Sequence, residues 1–221
     1  IEKAKTLASH ILETAEVDLN FSEGVFTITG TDRSVSLKEV AAFSFDAAKI
    51  PAGLESGLSG EAEYRTEVCN YPNGCHISEV EIDPETGKID VVKYTVVDDV
   101  GVVINPLLLD GQIHGGVAQG LGQILFEDIS YDPITGQMLT GSFMDYAMPR
   151  GDDLPGIKVV SNSVPTGTNP LGIKGAGEAG TIGAMPCVMN AAIDALSSLG
   201  IFQLEMPLTP NRVWQAIQSA S

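Results

Sequence analysis

The feature of this sequence that most constrains its fold is a pair of alternating runs between Cys75 and Val100. The runs HISEVEID and KIDVVKYTVVDDV are rich in β-branched residues and are separated by PETG, which is typical of a tight turn. Period-two alternation on both sides of a turn predicts two strands that pair as an antiparallel hairpin. We therefore expect a sheet built from antiparallel strands in this part of the chain.

Local signals predict further elements before the hairpin. The first 17 residues carry apolar side chains at helical spacing with charges between them, which indicates an amphipathic helix and not a signal peptide. A second hairpin is expected to turn at Ser22–Gly24, and a short helix is expected to begin after Ser36 as its N-cap. Residues 51–73 are rich in Gly, Pro and polar residues and indicate a boundary or a long loop.

After the hairpin, Asn105-Pro106 predicts the start of a helix, and Thr209-Pro210 predicts the start of a final one. Between them we expect a further hairpin turning near Asp132 and Gly136, then a strand in GIKVVSNSV. A loop is expected from Pro165 to Pro186, followed by a helix that ends at Gly200. The sequence thus predicts an α+β fold, with a small N-terminal module (1–60) and a larger C-terminal piece (61–221).

The helix after Asn105 holds an unusual number of glycines, at 111, 115, 116, 120 and 122. Each interior glycine costs roughly 1 kcal/mol relative to alanine, so that many glycines together require a reason. They either allow close packing on neighbouring backbone or allow a ligand to approach the helix surface. The sequence leaves both readings open.

The loop that contains GAGEAG carries one carboxylate, Glu178, and leads into a helix. Such loops present backbone N–H groups to an anion, and Lys174 could add positive charge. The alternative is a flexible loop in which Glu178 only complements the helix dipole. The segment is neither a Walker loop nor a dinucleotide fingerprint, because it lacks GK[ST] and no βαβ unit surrounds it.

Charge and composition exclude several classes of function. The net charge is −17, from 12 basic and 29 acidic residues, which argues against nucleic acid and anionic membranes as partners. We expect no membrane span, because apolar runs stay short of the roughly 18 residues required. Three cysteines without CxxC spacing fit a reducing compartment, so a cytoplasmic location is expected.

Other polar residues have two interpretations each. His114 is either a packed, hydrogen-bonded residue or a proton shuttle or ligand. His10 and His76 have no metal-ligand spacing with it, so no zinc or iron site is assigned. The Asp98-Asp99 pair either caps a turn before Gly101 or performs acid–base work or binds Mg²⁺. The segment MDYAMPR, which contains Asp145, Tyr146 and Arg150, either lines a substrate passage or holds a structural Arg–Asp pair.

Several separated motifs occur in one order: EVEID, PETGKI, VDDVG, VINP, GQIHGGVAQGLGQ, MDYAMPR, NPLGIKGAGEAG and MPLTPNRVWQAI. This order resembles the C-terminal region of the molybdopterin-binding large subunit of the xanthine oxidase family. It is most similar to the branch that contains carbon monoxide dehydrogenases and aldehyde oxidases. The resemblance is collinear from about Cys75 to Ile217 and implies a partial molybdopterin-binding domain.

The resemblance implies roles at matching positions only. The glutamate of the family's GxGE motif is the base that takes a proton from a molybdenum-bound hydroxyl, and it falls on Glu178. The cofactor-binding residues are then Gln112, from the glycine-rich helix, and Gly175, Ala176 and Gly177, from the loop. An effective carboxylate base is partly desolvated, so we expect Glu178 to be buried in the complete enzyme.

The resemblance implies a molybdenum hydroxylase that oxidises an aldehyde, CO or an aromatic heterocycle with oxygen from water. The absence of an initial Met suggests part of a longer chain, and the remaining cofactor contacts would precede residue 1. The implied partners are the rest of the large subunit, iron–sulfur and FAD subunits or domains, and a small-molecule substrate, within an oligomer. We expect the isolated chain to be inactive and without molybdenum.

Two other functions remain as alternatives. A non-catalytic assembly or interaction module could retain the fold, although an intact Gln112 and GAGE loop speak against it. A phosphate-binding enzyme using the loop Gly175–Gly180 would bind nucleotide as an isolated chain.

Overall fold

The computed structural model describes residues 1–220, which divide into two compact units. The first is Ile1–Arg65, and the second begins at Thr66. Helices and small sheets occur in both, so the predicted α+β class is confirmed.

The first unit packs two helices on a three-stranded antiparallel sheet of order β1-β2-β3. Its elements are α1 (Glu2–Leu12), β1 (Leu19–Ser22), β2 (Val25–Ile28), β3 (Ser34–Ser36) and α2 (Leu37–Phe43).

Short-range sequence signals are responsible for this arrangement. The β1–β2 turn uses Glu23 and Gly24, both with positive φ, as the predicted hairpin requires. Ser36 caps α2 in a reciprocal capping box with Glu39. The apolar face of α1 buries Leu7 and Ala8 in the unit's own core.

The second unit is built on a three-stranded sheet of order β4-β5-β6. Strands β4 (Asn73–Ile82) and β5 (Ile89–Asp99) form the long antiparallel hairpin predicted from the sequence, with a register shift between Glu79 and Val80. Strand β6 (Ile157–Ser161) pairs with β5 in parallel, which the sequence did not predict. A parallel pair needs a long crossover, and the segment between β5 and β6 supplies it.

Three helices belong to this unit: α3 (Pro106–Leu125), α4 (Ala179–Leu196) and α5 (Pro210–Ala220). α4 packs on β4 and on α3. The helices and strands share one core, whose fully buried members include Tyr94, Val96, Ile113, Val117, Leu121, Ile124, Val188 and Val213.

The expected loop up to Pro186 is wrong in its last third, because α4 already begins at Ala179 and continues through Pro186. Glycine and proline content argued for a loop, but close packing on α3 stabilises a helix there. Together with a short 3-10 helix that follows it, α4 is long and apolar enough to cross a membrane by length and composition alone. It contributes Ala184, Val188 and Ala192 to the protein core, so this property is weak evidence for a membrane span.

The hairpin expected near Asp132 forms only in part. The Asp132 carboxylate accepts hydrogen bonds from the backbone of Ile134 and Thr135, which fixes the predicted turn. Strand pairing is limited to a single bridge between Tyr131 and Met138.

Candidate active site

Glu178 lies immediately before the first residue of α4, as its N-cap. Its side chain does not cap the helix and is exposed to solvent in this chain. A carboxylate at this point experiences the positive end of the helix dipole. Burial of Glu178 in the complete enzyme therefore stays a prediction, since parts of the enzyme outside residues 1–220 would have to cover the side chain.

The loop before Glu178 is held by backbone and amide hydrogen bonds. The Asn169 side chain donates to the Ile173 carbonyl (2.8 Å) and accepts from the Ile173 N–H (3.1 Å). Ile173 also forms a bridge with Gly101, just beyond the end of β5. The segment leading to Glu178 is thus attached to the sheet.

A buried ion pair strengthens this attachment. Lys174 Nζ lies 2.6 Å from Asp99 Oδ2, and the two side chains are 13% and 8% exposed. The hydrogen bond from Lys174, with those from the backbone N–H groups of Val164 and Gly101, lowers the pKa of Asp99 to about 2. The expectation that Lys174 adds charge for an anion is therefore corrected, because its ammonium group is engaged with Asp99. The turn-capping interpretation of the aspartate pair is confirmed for Asp99.

Helices α3 and α4 meet through glycines. A Cβ on Gly116 would lie 2.9 Å from Gly180 Cα and from Thr181 N, and a Cβ on Gly180 would lie 2.6 Å from the Ile113 carbonyl oxygen. Thr181 Oγ1 also donates to the Gly116 carbonyl (3.0 Å). Close packing therefore explains Gly116, and also Gly120, where a Cβ would meet that of Ala184 at 2.6 Å.

The other α3 glycines near the start of the helix have a different environment. A Cβ on Gly111 or Gly115 would have no heavy atom within 4 Å, apart from the helix's own backbone and chain neighbours. Gln112 is exposed beside them. Gln112 immediately precedes Ile113, and the carbonyl oxygen of Ile113 contacts Gly180 of α4. Glu178 lies two residues before Gly180. The packing of α3 on α4 therefore brings the segments carrying Gln112 and Glu178 next to each other.

The loop around Glu178 presents unused hydrogen-bond donors. Within residues 1–220, the backbone N–H groups of Gly175, Ala176, Gly177 and Glu178 have no acceptor. A Cβ on Gly175 or Gly177 would meet open space. Free donors beside a helix N-terminus fit a ligand with anionic groups and hydrogen-bond acceptors.

Asp98 differs from its neighbour Asp99. It is 5% exposed, and its Oδ1 lies 3.5 Å from His76 Nε2. The other carboxylate oxygen, Oδ2, is buried without a hydrogen-bond partner in the described part of the chain. This pair could not be predicted from the sequence, because the two residues are 22 positions apart and no motif contains both.

The remaining candidates have local partners. His114 is exposed, and its Nδ1 lies 2.7 Å from the Asp110 carbonyl oxygen. Asp145 accepts a hydrogen bond from the Ser142 hydroxyl, whereas Tyr146 and Arg150 line a cavity of about 460 Å³. Across residues 1–220, no cluster of three or more His, Cys, Asp or Glu side chains is arranged to hold a metal ion.

The sequence matches the family described as "Molybdopterin cofactor-binding domain" over residues 1–155. It is 40% identical to the nicotine 6-hydroxylase large subunit of Paenarthrobacter nicotinovorans, over 97% of this chain and 26% of that protein. It is 33% identical to the carbon monoxide dehydrogenase large chain of Hydrogenophaga pseudoflava, over 98% of this chain and 27% of that protein. The chain thus spans about a quarter of the length of these curated relatives.

Solved structures of related enzymes are similar to this chain over nearly its whole length. Quinoline 2-oxidoreductase from Pseudomonas putida 86 is similar with a TM-score of 0.89 and 36% identity, covering 98% of this chain and 28% of that chain. Reconstituted CO dehydrogenase from Oligotropha carboxidovorans has a TM-score of 0.92 and 31% identity, covering 99% and 27%.

Proposed function

Because this chain belongs to the molybdopterin cofactor-binding domain family, we propose that it is the C-terminal portion of a molybdenum hydroxylase catalytic subunit, with Glu178 as the base. The observation that carries this proposal is the packing of the Gln112 segment of α3 against the start of α4, directly after Glu178. The similarity to large subunits of such enzymes over nearly the whole chain supports it.

The residues proposed to hold the cofactor are Gln112, Gly175, Ala176 and Gly177. The free N–H groups of the loop suit a cofactor that carries phosphate and a hydrogen-bonding pterin, so the residues present fit this group. When bound, the molybdenum cofactor supplies the redox centre that accepts electrons from the substrate. The Gln112 amide can donate and accept hydrogen bonds, and exposed glycines let the cofactor approach the backbone.

Glu178 is proposed to accept a proton at its carboxylate when water-derived oxygen attacks the substrate. A carboxylate performs this task well when neighbouring protein surfaces exclude water, since desolvation raises the pKa of a carboxyl group. The hydrogen bonds of Asn169 and the Lys174–Asp99 pair attach the segment before Glu178 to the end of β5, which limits where the Glu178 backbone can lie. Positioning of this kind is a large part of general-base catalysis.

The test is Glu178→Gln in the complete enzyme, which keeps the size of the side chain and removes its basicity. We expect turnover to be abolished while molybdenum content is unchanged. An E178Q enzyme with normal activity would disprove the assignment. Exposed Glu205 offers a matched control, because Glu205→Gln makes the same chemical change elsewhere in the second unit.

The substrate is proposed to be an aldehyde, CO or an aromatic heterocycle. The relatives named after nicotine and quinoline are 40% and 36% identical, and those named after carbon monoxide are 33% and 32% identical. Nitrogen heterocycles are therefore the first class to assay. Turnover of CO alone in a substrate panel would reverse this preference.

The proposed partners are the rest of the large subunit and iron–sulfur and FAD subunits or domains, in a cytoplasmic oligomer. One relative is a subunit of a complex by name, the 6-hydroxypseudooxynicotine dehydrogenase complex, which supports this assembly. The free cysteines Cys69, Cys75 and Cys187 fit a reducing compartment. An alternative is a non-catalytic assembly module that retains the fold, and mass analysis of the native gene product distinguishes the two.

A further inference from the structure

His76 is a buried imidazole that has no role in the proposed chemistry. Its side chain is 6% exposed and lies between β5 and α4. Nδ1 is 2.8 Å from the hydroxyl oxygen of Tyr94, a fully buried residue of β5. The two rings meet edge to face, with centroids 5.7 Å apart. The imidazole is thus fixed in orientation by β5.

The other side of the ring is fixed by Asp98. Nε2 lies 3.5 Å from Asp98 Oδ1, and the side chains of both residues are more than nine-tenths buried. A Cβ on Gly74 would lie 2.0 Å from the same oxygen and 2.6 Å from the backbone carbonyl oxygen of Val97, so a glycine is required where β4 passes this carboxylate. Contacts with strands β4 and β5 therefore hold the imidazole in position.

The ring of His76 in turn contacts the second turn of α4. A Cβ on Gly183 would lie 2.5 Å from the Nε2 and Cε1 atoms of His76, so the helix backbone rests directly on the imidazole. Ala179 and Ile182, on the same face of the helix, line a cavity of about 360 Å³ together with His76 and Asp98. On the opposite face, the first two turns of α4 contact α3 through Gly180 and Ala184.

The beginning of α4 depends on such contacts because Pro186 interrupts the helix. Proline has no N–H, so the Ile182 carbonyl lacks the donor that a helix normally supplies four residues later. The two turns that follow Glu178 are therefore less firmly joined to the rest of α4. Packing against His76 on one side and α3 on the other has to fix their position.

We propose that His76, which is held in place by Tyr94 and Asp98, is a positioning residue. It fixes the position of the first two turns of α4 and thereby the position of the Glu178 carboxylate. This inference rests on the proposed role of Glu178. His76 acts through the helix backbone, so its removal displaces Glu178 without altering the chemistry of the carboxylate.

The experiment uses the complete enzyme with His76→Ala and Tyr94→Phe, and it measures turnover and amide hydrogen exchange. A displacement of about 1 Å at a reacting group costs on the order of 100-fold, so we expect H76A to lower kcat by about that factor with KM nearly unchanged. Exchange should accelerate in residues 179–185 and not in residues 188–196. Y94F keeps the ring and removes the hydroxyl, which contacts both His76 and Cys187, so it should lower kcat roughly fivefold, less than H76A does.

His10→Asn is the matched control, since His10 is an exposed histidine of the first unit, and it should change neither measurement. Faster exchange throughout the second unit would show that His76 is a general stability residue. Normal kcat and unchanged exchange at 179–185 in H76A or, if H76A fails to fold, in Y94F would overturn the inference. An inactive E178Q beside a fully active H76A would reject the positioning role alone, whereas an active E178Q would reject the proposed function.

Discussion

Two neighbouring glycines of α3 allow the packing of α3 on α4 to be measured directly. Gly116→Ala would place a methyl group 2.9 Å from backbone atoms of Gly180 and Thr181, which cannot rotate away. Gly115→Ala, one residue earlier, would place it in open space. Both positions are interior to the helix, so each variant gains about 1 kcal/mol of helix propensity.

Because the gain in propensity is common to both variants, the difference between them isolates the packing term. Overpacking costs typically 1–3 kcal/mol, so G116A should have a free energy of unfolding about 1–3 kcal/mol below that of G115A. G115A should exceed the unsubstituted chain by about 1 kcal/mol.

Urea unfolding followed by tryptophan fluorescence provides the assay, since the chain has a single tryptophan, Trp214 in α5. It reports on the second unit. With a urea m-value of about 2 kcal/mol/M, the midpoints of the two variants should differ by about 0.5–1.5 M. Equal midpoints, or a higher midpoint for G116A, would refute the packing explanation of these glycines.

The pKa of Asp99 is lowered to about 2, so its pairing with Lys174 contributes stability above pH 4 that is lost as the pH falls through 2. Lys174→Met should therefore unfold more easily than the unsubstituted chain at pH 7, with a difference in urea midpoint that shrinks towards pH 2; a constant difference would contradict this. Ser36→Ala should cost about 1 kcal/mol in the first unit, as faster amide exchange in α2 would show, and unchanged exchange would refute the capping role. The purified 221-residue chain should contain no stoichiometric molybdenum by elemental analysis, and a full equivalent would show a self-contained site.

Elements with local signals could be predicted from the sequence. Three helix starts depend only on residues within one turn of the backbone: Ser36 for α2, Asn105-Pro106 for α3 and Thr209-Pro210 for α5. The β4–β5 hairpin is likewise encoded by alternation and a short turn. In each case the residues that determine the structure are neighbours in the chain.

Features that depend on distant residues could not be predicted. The start of α4 at Ala179 contradicts the local preferences of glycine and proline, and it depends on contacts with Gly116, 63 positions earlier in the chain. The Lys174–Asp99 pair joins residues 75 positions apart. Sequence motifs indicated Glu178 and Gln112 as site residues. The attachment of the loop before Glu178 to the sheet, and the contacts that hold His76, emerge only from the tertiary structure.

The proposed role of Glu178 as catalytic base is tested most directly by the anaerobic rate at which substrate reduces the enzyme's bound cofactor. Comparing E178Q with E205Q at equal molybdenum content separates chemistry from cofactor loss. Loss of a general base costs typically 100- to 10,000-fold, so we expect E178Q to be slower by about this factor and E205Q to match the unsubstituted enzyme. An E178Q enzyme reduced at the rate of E205Q would contradict the claim.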